Sequence, residues 1–221
     1  MSYELEKAEL PDIARRALGG ICDRSGAILY SSHTTLKPGD VYLLGFNPGG
    51  EGGSPLRECI NGMLHSDVNA YLDESWENRN GVWAPGEAPL QKRVSWLLER
   101  VIGNPREVCA TNLIFVRSRL AANISYELVQ QCWPVHEAIL RIVQPKLIVA
   151  FGNSAKSPYS YLRSIFGGSG KEFPSGHGNW ALKGFESTLN GRDIYVAGLP
   201  HLSRYSPIGK NHLVKWLREK I

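Results

Sequence analysis

The sequence predicts an α/β protein of three layers, α/β/α, with a central, mostly parallel sheet of about four strands plus a C-terminal hairpin. Two observations predict this class. Short apolar runs typical of buried strands alternate with longer segments whose apolar residues recur at helical spacing. The 221 residues are 43% hydrophobic and 21% charged, a composition that is ordinary for a globular chain. This length allows one large α/β domain or two small ones, and we interpret residues 1–221 as a single domain.

The first half of the chain contains one clear strand and a long irregular segment. Residues 11–19 are predicted to form a short helix that ends at glycine. The apolar run 41–46 lies between Pro-Gly-Asp and Asn-Pro-Gly-Gly, which indicates a buried strand that enters a glycine-rich loop. Residues 51–89 are polar and rich in Gly, Asn and Pro. We interpret them as a long insertion or lid within the domain, with a short helix near 56–64.

Strands and helices alternate regularly after residue 89. The predicted elements are a helix from Leu90 to Val101, a strand at 108–116, a helix at 125–143, a strand at 147–151, a helix at 154–166, a loop at 167–179, strands at 180–187 and 193–199, and a helix at 207–220. The last two strands are joined through Asn190-Gly191, a dipeptide that favours the tight turn of a hairpin. This alternation is typical of a parallel sheet covered by helices on both faces.

Composition excludes several classes of protein. No run approaches the roughly 18 consecutive apolar residues of a membrane span, and the acidic, polar start does not resemble a signal peptide. We expect a cytoplasmic protein of bacterial type, or a nuclear one in a eukaryote, that has no membrane partner and is a monomer. The four cysteines form no CxxC pair and the six histidines no HExxH motif, so we expect reduced thiols and neither a metal nor a cofactor.

The net charge of +4 is unevenly distributed along the chain. Residues 1–90 carry a net charge of −6, whereas residues 91–221 carry +10. Such a division favours an anionic partner near one face. Scattered, solvated charge on surface helices is an equally good interpretation of the count alone.

Polar side chains follow three of the predicted strands. Asn47 comes after the first strand, Asn112 lies late in the second, and His201 follows the last. Ligands of parallel α/β sheets bind beyond the carboxyl ends of the strands. We therefore expect these two amides and the imidazole to line a pocket that recognises a small polar ligand through hydrogen bonds.

Other signatures of phosphate and hydrolase sites are incomplete. The segment 168–171 resembles the end of a P-loop, but Glu172 stands where Ser or Thr is required and Ile165 where the first glycine belongs. No GxGxxG motif follows the first strand, and the chain contains no GxSxG motif.

Four short motifs, in order, resemble those of the uracil-DNA glycosylase superfamily. Gly45–Gly49 (GFNPG) resembles the first motif, in the Asn-Pro-Gly form of the single-strand-selective and mismatch-specific branches, and His201–Ser206 resembles the second. Residues 111–113 resemble the strand that carries the base-reading asparagine, and residues 147–155 the strand–Gly–x–x–Ala stretch. The sequence departs from the second motif at Leu202, where the usual residue is proline.

The resemblance implies a monofunctional DNA glycosylase of base excision repair. Such an enzyme flips uracil or a related deaminated base out of single- or double-stranded DNA, and water then hydrolyses the N-glycosidic bond without a metal or cofactor. Asn47 is then expected to position the water, and His201 to donate a hydrogen bond to the leaving base. Asn112 offers both a donor and an acceptor to a uracil-like edge.

An aromatic side chain is expected to stack on the flipped base, and Phe46 and Trp83 are the candidates. The glycines of the first motif would let the backbone approach the sugar or phosphate closely. The predicted substrate-binding residues are Gly45, Phe46, Pro48, Gly49, Trp83, Asn112, Ser203 and Arg204. Further contacts to phosphates are expected from Arg117, Arg119, Ser206 and Lys210.

Simpler interpretations of these residues stay open at this point. Asn47 can be a turn residue before proline, His201 a capping histidine, and Asn112 a buried amide satisfied by the backbone. Trp83 can pack on the core as part of a lid, and each cation can be ordinary surface charge. The alternative functions are a superfamily member that binds nucleic acid or a modified base with altered catalysis, and an enzyme that acts on a small nucleotide or nucleoside.

Overall fold

A computed structural model describes residues 3–78 and 81–221 of the chain. Its helices are α1 (Tyr3–Leu18), α2 (Leu56–Gly62), α3 (Pro89–Ile102), α4 (Leu128–Val143), α5 (Pro158–Phe166) and α6 (Asn211–Arg218). Its strands are β1 (Val41–Gly45), β2 (Trp76–Asn78), β3 (Gly81–Trp83), β4 (Cys109–Asn112), β5 (Leu147–Phe151), β6 (Lys171–Pro174), β7 (Ala181–Leu189) and β8 (Arg192–Leu199). This alternation confirms the predicted α/β class.

Six strands form the central sheet, in the spatial order β4-β1-β5-β8-β7-β6. The first four of this order are parallel to one another, so their carboxyl ends lie at one edge of the sheet. We call this edge, formed by the residues that follow Gly45, Asn112, Phe151 and Leu199, the carboxyl edge. β7 and β6 are antiparallel additions, so the 175–180 turn between them also reaches the carboxyl edge.

Alternate strand residues pack into two separate cores. Tyr42 and Leu44 of β1 join the core that contains residues of α1, α2, α4 and α5. Val41 and Leu43 join the core that contains residues of α3 and α6. Because helices cover both faces, β1 and β5 are buried along their whole length, which explains their continuous apolar sequences. The result is the three-layer α/β/α architecture.

The Asn190-Gly191 hairpin turn is confirmed, since both residues have positive φ angles, +51° and +75°, between β7 and β8. Two other predictions about strands are wrong. Residues 171–174 of the expected loop form β6, an exposed edge strand whose polar sequence gives no alternating pattern. The strand expected at 108–116 ends at Asn112, because the next residues bond to the irregular loop that follows β1.

The predicted helices are confirmed with shifted ends. α4, α5 and α6 each begin about one turn later than expected, and Ser157 caps the amino end of α5. α1 begins at Tyr3 rather than at residue 11, contains Pro11, and buries Leu10 against the core.

The 51–89 segment is only partly irregular. Its helix α2 lies near the predicted position and buries Leu56 and Ile60. β2 and β3 form a separate antiparallel hairpin that the sequence does not predict, and its turn residues 79–80 lie outside the described residues. None of the helices in residues 3–78 and 81–221 is long and apolar enough to cross a membrane.

Candidate functional site

Gly45 lies at the centre of the carboxyl edge, beneath side chains from both neighbouring strands. A Cβ atom at this position would lie 2.2 Å from Oδ1 of Asn112 in β4 and 2.7 Å from Cζ of Phe151 in β5. Only glycine fits there without displacing one of them. Asn112 and Phe151 are therefore neighbours across the end of β1.

Asn112 has an unusual polar environment. Its side chain is only 3% exposed, and Nδ2 is shielded from solvent with no hydrogen-bond partner among the described residues. Leaving a buried donor unpaired costs of order 1–3 kcal/mol, so such groups are rare in folded proteins. The backbone does not satisfy this amide, as the simpler interpretation would require. An acceptor atom of a ligand at the carboxyl edge would satisfy it.

Asn47 is held by its amide nitrogen. Nδ2 donates hydrogen bonds to the carbonyl oxygens of Pro48, at 2.7 Å, and Ser118, at 3.1 Å. The backbone N–H of Ser118 in turn donates to the carbonyl of Pro48, and the Arg117 guanidinium donates to the carbonyl of Gly49. The loop is thus fixed on both sides of Pro48. Oδ1 of Asn47 makes no hydrogen bond within the described chain, and it remains an oriented acceptor.

The ring of His201 is also fixed through one of its nitrogens, Nδ1. Nδ1 accepts a hydrogen bond from the backbone N–H of Ser203 at 3.2 Å, and it lies 2.8 Å from the hydroxyl of that residue. Because a backbone N–H only donates, Nδ1 of the neutral ring carries no proton and Nε2 carries it. Burial, and then the charge of Arg204, lower the pKa of His201, which keeps the ring neutral at pH 7. His201 therefore offers an uncharged Nε2–H donor.

Two residues that the sequence analysis does not single out position His201. Phe151 packs edge-on against the imidazole, with ring centroids 5.4 Å apart, and so connects it to Gly45. Arg93 of α3 donates hydrogen bonds of 2.7 Å to the carbonyls of both Leu202 and Ser203. Leu202 itself is fully buried, so its side chain anchors this loop. Sequence spacing gives no signal for Arg93, because its partners are backbone atoms 109 and 110 residues away.

The aromatic candidates lie in different environments. Phe46 is half-buried and stacks on Tyr126, with ring centroids 6.4 Å apart. Trp83 is 40% exposed in β3, where it pairs across the hairpin with Trp76. No ring contact or hydrogen bond among the described residues joins Trp83 to Asn47, Asn112 or His201.

Trp180 is an aromatic residue at the carboxyl edge that the sequence analysis places in a strand instead. It ends the 175–180 turn, is 40% exposed, and packs against His177 with ring centroids 4.9 Å apart. The turn is bound to the His201 loop because the Tyr205 hydroxyl donates to the carbonyl of Ser175 at 2.8 Å. Trp180 thus joins Phe46 and Trp83 as a candidate for stacking.

The predicted phosphate contacts divide into two groups. Ser203 and Arg204 are exposed beside His201, and the Lys210 ammonium lies 5.3 Å from the ring centroid of Tyr205. Arg119 is also exposed and pairs with Glu51 at 3.5 Å. Arg117 differs from the expectation, because it is half-buried and its guanidinium is bound to the carbonyl of Gly49. Within residues 3–78 and 81–221, no three His, Cys, Asp or Glu side chains are grouped as a metal site requires.

A buried chain of hydrogen bonds supports the end of β4. The Thr111 hydroxyl lies 2.5 Å from that of Tyr42, which lies 3.0 Å from Nδ1 of His136. Nε2 of His136 lies 3.2 Å from the carbonyl oxygen of Leu113. A carbonyl only accepts, so Nε2 carries the proton, Tyr42 donates to Nδ1, and Thr111 donates to Tyr42. This chain fixes the backbone on both sides of Asn112.

His136 makes the stability of the fold depend on pH. Burial lowers the pKa of His136 to about 4, against 6.5 for an exposed histidine. The unfolded chain therefore binds this proton at a higher pH than the folded one. We expect the free energy of unfolding to lose about 3 kcal/mol from this group as the pH falls from 6.5 to 4, with the full contribution present above pH 6.5.

Urea unfolding at several pH values tests this prediction. His136→Phe should be less stable at pH 7 but should lose less stability than the wild type on acidification. His212→Ala, a change at an exposed histidine of α6, should keep the wild-type slope. An unchanged slope in His136→Phe would show that another group causes the acid sensitivity.

Comparison of the sequence with protein-family models and with curated proteins finds no match in either set. Functional inference for this chain therefore depends on the residues of the carboxyl edge.

Proposed function

We propose that the protein is a monofunctional DNA glycosylase that releases uracil or a related deaminated base from DNA. One observation carries this proposal. At the carboxyl edge, Asn47 and His201 each have one polar atom fixed by loop backbone and the other left for a ligand, and the buried amide of Asn112 lacks a partner beside them. The motif resemblance at Gly45–Gly49 and His201–Ser206 supports the same assignment.

In the proposed reaction, Oδ1 of Asn47 acts on the attacking water and Nε2–H of His201 acts on the leaving base. A flipped nucleotide places its base against Asn112, and the bond between C1′ and the base nitrogen breaks with both electrons leaving on the base. Water bonds to C1′ through its oxygen, and its released proton finally neutralises the base through solvent. Oδ1 of Asn47 accepts a hydrogen bond from this water and orients it. An amide does not take up the proton, so this role is orientation.

His201 would stabilise the charge that develops on the leaving base. Its Nε2–H is a preorganised donor on a neutral ring, and a donor of this kind contributes about 3 kcal/mol when it is directed at developing charge. The ring does not have to rearrange, because the Ser203 backbone already fixes it. Phe151 adds a rigid wall on one side.

The basic half of the chain supplies the cations near this edge. Arg204, Lys210 and Arg119 lie in the two loops that follow β8 and β4, and residues 91–221 carry a net charge of +10. We infer that these loops contact DNA phosphates, which makes binding weaken as salt increases. We also propose that the protein acts as a monomer, in the cytoplasm or in the nucleus of a eukaryote.

Single-turnover assays on labelled oligonucleotides test the function. The substrates contain uracil, hypoxanthine or xanthine, each in single- and double-stranded form, with a chelator present. We expect release of at least one base and formation of an alkali-sensitive abasic site. Salt-dependent binding without release of any base would favour a nucleic-acid-binding protein with altered catalysis. If the protein neither releases a base nor binds the oligonucleotides, the proposal is overturned. A small nucleotide or nucleoside is then the substrate to be tested.

A further inference from the structure

Arg117 and Ser118 hold the loop that carries Asn47. The carbonyl of Ser118 accepts from Nδ2 of Asn47 at 3.1 Å, and its backbone N–H donates to the carbonyl of Pro48 at 3.0 Å. The carbonyl of Pro48 is also the second acceptor of Asn47, at 2.7 Å. The Arg117 guanidinium donates to the next carbonyl, that of Gly49. The peptide group that orients Asn47 is therefore followed directly by the one that Arg117 holds.

The guanidinium of Arg117 lies against the glycine-rich segment 49–53. A Cβ atom at Gly53 would lie 3.2 Å from Nε of Arg117, and one at Gly50 would lie 3.8 Å from Nη1. The contact at Gly53 is the tighter one, so a side chain there would press on the guanidinium. This segment therefore packs closely on the Arg117 side chain.

Ser25 connects the backbone of Arg117 to the same segment. The backbone N–H of Arg117 donates to the carbonyl of Ser25 at 2.8 Å, and the Ser25 hydroxyl donates to the carbonyl of Gly52. The Arg117 side chain is half-buried. Both the backbone and the guanidinium of Arg117 are thus bound within the protein, which suits a fixed internal contact better than a mobile contact to phosphate.

We propose that Arg117 is a positioning residue of the proposed reaction, which acts through Asn47 and does not contact DNA phosphates. Its hydrogen bond to the carbonyl of Gly49 fixes the peptide that follows Pro48, and thereby the plane of the Asn47 amide and the direction of Oδ1. This inference rests on the proposed function, because the direction of Oδ1 affects a rate only if this atom orients the attacking water. A displacement of about 1 Å at such an atom can lower a rate by about 100-fold.

A double-mutant cycle tests this role. Arg117→Met removes the donors of the side chain, and we expect the single-turnover rate of uracil release to fall by roughly tenfold or more with little change in DNA affinity. In the Asn47→Ala background the same substitution should lower the rate no further, because the side chain that Arg117 positions is absent. Arg93→Met is the matched comparison. It removes an arginine that binds carbonyls of the His201 loop, so its effect on the rate should persist in Asn47→Ala.

A phosphate contact of Arg117 would give a different result. Arg117→Met would then weaken binding of the oligonucleotide and reduce the dependence of binding on salt, and its effect on the rate would be the same with and without Asn47. That result, or a wild-type rate in the folded variant, would overturn the inference. Thermal unfolding shows whether Arg117→Met is folded. If it is not, Arg117→Lys takes its place in the cycle, because lysine keeps the charge but not the planar guanidinium.

A second measurement separates this inference from the function itself. Exchange of the Asn47 side-chain amide protons with water is followed by ¹⁵N NMR in the whole protein without DNA. We expect Arg117→Met to speed this exchange, whereas the amide of Asn153, which also donates to two carbonyls, should exchange as in the wild type. Unchanged exchange at Asn47, with base release at the wild-type rate, would overturn the inference and leave the glycosylase function standing. Faster exchange in a protein whose wild type releases no base would show that Arg117 positions Asn47 but would overturn the proposed reaction.

Discussion

Replacing Asn47 with alanine should lower the single-turnover rate of uracil release by about 100-fold or more, since loss of orientation at a reacting atom has effects of this size. The structure gives a specific reason. Both Nδ2 hydrogen bonds serve to fix the amide plane, so Oδ1 is the acceptor available for water. Alanine removes this acceptor and also releases the carbonyls of Pro48 and Ser118. We therefore expect the rate to fall while affinity for undamaged DNA changes little.

Asn153 provides the control for this experiment. Its Nδ2 also donates to two backbone carbonyls at the carboxyl edge, those of Ala181 and Gly198, at 2.8 and 2.9 Å. Asn153→Ala should therefore cost similar stability in a thermal unfolding assay but retain most of the rate. If Asn47→Ala releases uracil at the wild-type rate, Asn47 is the turn residue of the simpler interpretation.

The parts of the fold that the sequence predicts are those with strong local causes. β1 and β5 are continuous apolar runs because both faces of the sheet are covered. The β7–β8 turn is predictable because both of its residues need positive φ angles, which Asn and Gly adopt readily. β6 has neither a continuous apolar sequence nor a turn dipeptide of this kind. It is an edge strand that pairs with β7 and packs Phe173 on Trp216, and its other, exposed residues carry no pattern.

Some residues of the candidate site are likewise predictable from the sequence, and others are not. Asn47, Asn112 and His201 are predictable because each follows or ends a strand, and the sheet topology brings strand ends together. Phe151 and Arg93 are not predictable from spacing. Phe151 is one apolar residue in an apolar strand, and its contacts with His201 and at Gly45 give it a place in the site.

His201→Ala should lower the single-turnover rate by about 100-fold, which corresponds to about 3 kcal/mol of transition-state stabilisation. The leaving base would lose the Nε2–H donor, and water that replaces the ring is not fixed by Ser203. Burial, and then the charge of Arg204, lower the pKa of His201, so protonation of this ring should not lower the wild-type rate between pH 8 and pH 7. The rate at each pH and the stability of the variant are measured together.

His201→Gln and His212→Ala make the test specific. Glutamine retains an N–H donor but cannot be fixed through a ring nitrogen by the Ser203 backbone, so we expect it to recover only part of the lost rate. His212 is an exposed histidine of α6 that lies against Gly176 of the 175–180 turn and has no role in the proposed reaction, so its replacement should leave the rate largely unchanged. A wild-type rate in His201→Ala would make His201 a structural residue of its loop. If His201→Ala is inactive, its thermal unfolding transition shows whether the variant is folded. If it is unfolded, the rate of the folded His201→Gln variant decides the role of His201, because loss of a donor from the transition state lowers the rate of a folded enzyme.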